Sequence, residues 1–98
     1  MEWQIAFIGP ALAELQQIES KSRVLGIQPL VSQARRIIEG KLRVDPRSFG
    51  NRYNHLRMAK LMVYSMVESP LIYHDGVHDE EPVVIVQKVT AFSGWGLD

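Results

Sequence analysis

The sequence predicts an α+β fold: an N-terminal strand, an antiparallel two-helix hairpin, then a three-stranded antiparallel meander, with the helices packed on one face of the sheet. Three observations predict it. From Leu56 to Val89, three runs rich in Val, Ile, Leu, Met and Tyr are cut by polar turns at Glu68-Ser69-Pro70 and His78-Asp79-Glu80-Glu81-Pro82, the pattern of a meander. Between Ala11 and Leu42 the apolar residues recur in steps of three and four, the helical period. The chain has 98 residues, 46% hydrophobic and 22% charged. A chain of that size buries roughly 65% of its unfolded surface, enough for one modest core in a single domain, 1–98.

The first strand is carried by Trp3, Ile5 and Phe7, which alternate along Trp3 to Ile8. Gly9-Pro10 ends it, and Pro10 suits the first turn of a helix. Ala11, Leu12, Leu15, Ile18 and again Leu25 form one helical stripe, and Gly26 is a C-terminal stop. The chain restarts at Pro29, and Leu30, Ala34, Ile37, Ile38 and Leu42 form a second stripe, with Arg35, Arg36, Glu39 and Lys41 facing away. The short connection at Gly26 to Gln28 implies a helical hairpin. Residues 44–54, with Asp45-Pro46 and Gly50-Asn51, read as a basic loop.

In the meander, the even spacing of Met58, Met62 and Met66 puts them on one strand face, toward the helices. The second run alternates Leu71, Tyr73 and Val77, so Tyr73 and His74 point to opposite faces. The third run, Val83 to Val89, is aliphatic through Val86 and reads as a central strand covered on both faces. Residues from about 91 to 98 form an irregular tail, anchored by Trp95.

Composition narrows the function. With no cysteine, a disulfide scaffold, a thiolate zinc site and a thiol nucleophile are excluded, and the chain suits a reducing cytoplasm. The N-terminus has no signal-peptide pattern, and no apolar run approaches the ~20 residues of a membrane span, so no membrane partner is expected. Dinucleotide fingerprints, P-loops, nucleophile elbows and paired zinc histidines are absent, and neither a cofactor nor a metal is expected. Eleven basic and eleven acidic residues cancel, but unevenly: Arg35 to Lys60 is basic, and Glu68 to Glu81 is acidic.

The order of elements and several local patterns resemble the RelE/ParE toxin superfamily of bacterial type II toxin–antitoxin systems. The opening Glu2-Trp3-Gln4-Ile5-Ala6-Phe7 and Ala11-Leu12-Ala13-Glu14-Leu15 look like that family's first strand and helix. Leu42-Arg43-Val44-Asp45-Pro46, followed by Gly50, is similar to the passage after its second helix. Pro70-Leu71-Ile72-Tyr73, Val77-His78-Asp79-Glu80 and Val83-Val84-Ile85-Val86 look like its late hairpin. The resemblance implies a compact domain neutralised by a cognate antitoxin. RelE-like members cut mRNA on the ribosome, whereas ParE-like members poison DNA gyrase.

Metal-free RNA cleavage needs a base for the 2′-hydroxyl, cations for the phosphorane and an acid for the leaving oxygen. For the part of this set that such nucleases place on the loop and first meander strand, the chain offers Arg43, Arg47, Arg52, His55, Arg57 and Lys60, with Arg57, His55 and Lys60 as candidate catalytic groups. The last strand offers only Lys88, and Phe92 to Asp98 has no Arg, His or Tyr. The C-terminal catalytic group of the nuclease pattern is thus missing or moved. Zero net charge also disfavours a ribosomal ligand, because phosphate contacts dominate such binding. The expectation is a toxin-like, cytoplasmic protein that acts by protein binding, ParE-like or non-catalytic. A ribosome-dependent mRNA endonuclease is the alternative, and a non-toxic interaction domain a further one. Arg43, Arg47, Arg52, Arg57, Lys60, Tyr73 and Lys88 are the expected partner or nucleic-acid contacts. A homodimer through an edge strand and Trp95 is compatible with the sequence but not required by it.

Overall fold

A computed structural model describes residues 2–48, 50–56 and 60–97; of residues 53–56 it describes the backbone only. The elements run β1 (Gln4–Phe7), α1 (Gly9–Leu25), α2 (Gln28–Val44), β2 (Asn51–Leu56), β3 (Leu61–Glu68), β4 (Leu71–His78) and β5 (Val83–Ala91). They build an α+β fold around a five-stranded mixed sheet of order β1-β5-β4-β3-β2. β2 to β5 are antiparallel to their neighbours in the chain, and β1 lies parallel to β5.

The expected three-stranded meander is therefore four-stranded. The stretch read as a basic loop ends in β2, and the run from Leu56 to Val67 is broken before Leu61. Lys60 makes that break, with a left-handed φ of 56° in the β2–β3 turn. β2 escaped the pattern because it is an edge strand, whose exposed Asn51 and Arg52 carry no apolar alternation.

One core cluster joins α1 (Ala11, Leu15, Ile18), α2 (Val31, Ala34, Ile38, Leu42) and the sheet (Tyr64, Met66, Tyr73, Val77, Val84, Val86, Val89). α1 lies mainly over β5, and α2 over β3, β4 and β1. Both helical stripes are narrower than expected. Leu12, Leu25 and Leu30 are exposed, and Ser22 takes a buried place in α1 by bonding the Glu19 carbonyl at 2.7 Å. Glu39, expected to face away, is buried because the Tyr73 hydroxyl lies beneath it. Met66 and the half-buried Met62 do face the helices, while Met58 lies outside the described residues.

Gly26 ends α1 in the left-handed region, its N–H bonding the Arg23 carbonyl at 3.2 Å. The N-terminus is tied down by Trp3 N–H to the Arg43 carbonyl at 2.8 Å, and by Gln4 N–H to the Pro82 carbonyl at 2.9 Å. The tail is held by Leu97, which joins the core, while Trp95 stays 38% exposed. The anchor expected at Trp95 is thus two residues later. Among the described residues no helix is long and apolar enough to cross a membrane.

Candidate functional site

Residues directly opposite each other in a ladder share a sheet face. The registers therefore sort the sheet into two sides. Met62, Tyr64 and Met66 of β3 share the helix side with Val77, Asp75 and Tyr73 of β4. Val63, Ser65 and Val67 share the other side with Gly76, His74 and Ile72, which β5 continues with Ile85, Lys88 and Thr90. Among the described residues no helix covers this second side. β5 was expected to be covered on both faces; it has strand neighbours on both edges, but on this open face Ile85 is only half-buried and Lys88 is exposed.

This face is mixed: Val67 is exposed and Val63 buried, Thr90 and His78 are polar, and one further polar row crosses it. Ser65, His74 and Lys88 stand opposite one another across β3, β4 and β5. Apolar residues flank the row on both sides, Val63 and Ile85 toward one end and Val67 and Ile72 toward the other. Gly76 keeps the face flat: a Cβ there would stand 3.2 Å from the Leu61 side chain. Among the described residues this row is the arrangement of acid–base and cationic groups that the register brings together.

Among the described residues, the expected basic cluster does not converge on that face. The Arg47 guanidinium donates to the His78 and Asp79 carbonyls at 2.9 and 3.3 Å and lies over the Trp3 ring, 5.1 Å from its centroid. Lys60 pairs with Glu80 at 3.1 Å. Arg47 and Lys60 thus brace the acidic β4–β5 turn, where the charges oppose. Arg43 projects from the end of α2, 3.8 Å from Glu39. Arg52 is exposed at the β2 edge. Arg57 and the side chain of His55 lie outside the described residues.

Tyr73, an expected contact residue, is fully buried, so it presents nothing to a ligand. Its hydroxyl donates to Glu39 Oε2 at 3.0 Å, and the same oxygen accepts from Arg35 Nε at 2.7 Å. Arg35 also reaches Glu19 at 3.0 Å, so the network links α1, α2 and β4. Burial, then the Glu39 carboxylate, pushes the Tyr73 phenol well above its ordinary value. His78, in the acidic turn, accepts the Glu80 and Glu81 backbone N–H groups on Nδ1 at 3.1 and 3.0 Å, as a hairpin tip requires. Among the described residues no group of His, Asp and Glu could hold a metal ion.

The sequence reading missed two groups. Asp75 is fully buried on the helix side between Tyr64 and Val86, and among the described residues neither carboxylate oxygen has a hydrogen-bond partner. Burial raises its carboxyl from the ordinary 3.8 to about 7. The signal was available, since the alternation of Leu71, Tyr73 and Val77 places residue 75 inward. The second group is Glu14, whose Oε1 accepts the Val89 backbone N–H at 3.2 Å. It borders a groove of about 340 Å³ lined by Gln17, Ile18, Val89, Ala91 and Leu97 among others. No feature of the sequence pairs residues 14 and 89.

No protein-family model and no curated protein sequence matches this chain.

Proposed function

We propose that this chain is a toxin-like protein of the RelE/ParE kind, acting by binding a protein and held in check by an antitoxin. One observation carries this reading. The sheet face turned away from the helices carries exposed Val67 and half-buried Ile72 and Ile85, and Lys88 is its only Lys or Arg among the described residues, while Arg47 and Lys60 are occupied at the β4–β5 turn. A mixed face with accessible aliphatic side chains and a single cation suits a protein surface. A phosphate backbone calls for converging cations. The target that fits the resemblance is gyrase.

The reading is tested by induced expression in a bacterial host. Growth arrest with DNA damage and intact mRNA is expected, relieved when Val67→Asp or Ile72→Asp breaks the open face. Harmless expression rejects the toxin reading in that host.

A second reading, ribosome-dependent mRNA cleavage, draws on the row Ser65, His74 and Lys88, where a base and a cation stand on one face. Cleavage of mRNA at ribosomes, abolished by Lys88→Ala or His74→Ala, would select it over the first.

A further inference from the structure

We propose that the free edge of β5 at Val89–Ala91 is a strand-addition site for an extended segment of a partner chain. β5 runs from Val83 to Ala91, but β1 pairs only with Val83 to Val86. Past Phe7 the chain turns into α1, so among the described residues the rest of that edge has no strand beside it. The hydrogen-bond phase shows which groups face the gap. Phe92 N–H bonds the Pro70 carbonyl at 3.0 Å, which fixes the pairs 70 with 92 and 72 with 90 as the bonded ones. In an antiparallel ladder the pairs between them turn their N–H and C=O groups outward. Val89 and Ala91, opposite Tyr73 and Leu71, therefore aim theirs at the gap.

The gap has a built wall and a stand-in acceptor. α1 supplies Glu14, Gln17 and Ile18, and the tail supplies Leu97, around the groove of about 340 Å³. Glu14 Oε1 holds the Val89 N–H at 3.2 Å, where a carbonyl of an added strand would sit. That carboxylate blunts the edge in the free protein and is displaced when a strand adds, the β-augmentation mode of recognition. The occupant is an extended segment with alternate apolar side chains, one of which enters the groove against Ile18 and Leu97. It continues the line of β1, so the sheet gains a strand beyond that short edge. The site deepens the protein-binding reading by naming an attachment point, and its biological meaning rests on that reading. Its own test does not involve toxicity, so the two can fail separately.

The test uses the full chain, ¹⁵N-labelled, with acetyl-Thr-Val-Thr-Val-Thr-Val-amide as probe. The expected result is slowed exchange of the Val89 and Ala91 amides, by about tenfold at saturating peptide. Glu14→Ala, which removes the competing acceptor, tightens half-saturation by about threefold, a change of about 0.6 kcal/mol. Ala91→Pro removes one outward donor and leaves the bonded pairs with β4 intact; it weakens binding in a chain whose amide spectrum stays folded. Protection that maps to the β2 edge, self-association without peptide, or unchanged Val89 and Ala91 amides at millimolar peptide overturns the proposal.

Discussion

Replacing Asp75 with asparagine removes a buried charge and with it a pH dependence of stability. Asp75 is wholly inaccessible, with Tyr64 and Val86 beside it and, among the described residues, no hydrogen-bond partner for either oxygen. Burial raises its carboxyl from 3.8 to about 7. Between those values the unfolded chain has released the proton and the folded chain has kept it. Stability therefore falls as pH rises from about 4 to about 7 and is level beyond, the reverse of a salt-bridged carboxylate. At ~1.4 kcal/mol per pH unit the full loss reaches about 4 kcal/mol, of which about 2.7 lies between pH 5 and pH 7. The asparagine side chain cannot ionise, and its amide is buried without partners much as the neutral acid is. Asp75→Asn should thus stabilise by about 4 kcal/mol at pH 8 and by about 1–2 kcal/mol at pH 5. Urea unfolding of both proteins at both pH values measures this, and the pH-dependent part should move the midpoint by about 1–3 M. Comparing the two proteins cancels every other titrating group. If the advantage of the variant is the same at pH 5 and pH 8 to within about 0.5 kcal/mol, the reasoning is refuted.

Other perturbations follow from the same geometry. Tyr73→Phe leaves Glu39 with Arg35 but removes one buried hydrogen bond, and should cost about 1–2 kcal/mol in urea unfolding. Gly50→Ala should cost about 2 kcal/mol or more, since φ is 85° and the added Cβ would stand 2.8 Å from Met66 Cγ and the Ser65 carbonyl. Lys60→Gly relieves a left-handed φ at the loss of an exposed ion pair to Glu80, and should raise stability by about 0.5–1 kcal/mol, read as a higher melting temperature.

The elements that bury a continuous stripe were legible in the sequence. Trp3, Ile5 and Phe7 marked β1, and the helical period marked α1 and α2. Leu71 to Val77 and Val83 to Val89 marked β4 and β5. β2 was not legible, because an edge strand needs few apolar residues, and the turn at Lys60 carries neither Gly nor Pro. The open face was half legible: alternation puts His74 opposite to Tyr73, but only the ladder register sets Ser65 and Lys88 beside it.

By itself, the sequence determined where the helices and most strands lie and most of the aliphatic side chains that leave water, since period and hydrophobicity are local properties of the chain. It did not separate exposed Leu12, Leu25 and Leu30 from the core or find buried Glu39. Tertiary structure decided which charges meet. Arg47 and Lys60 went to the acidic turn, Glu39 went under α2 to Tyr73, and Glu14 went to the β5 edge, across separations of 20 to 75 residues. An ion pair or a capped edge depends on distance in space, and no periodicity in the sequence encodes it. Those placements put Arg47 and Lys60 at the β4–β5 turn and leave Lys88 as the one Lys or Arg, among the described residues, on the sheet face away from the helices.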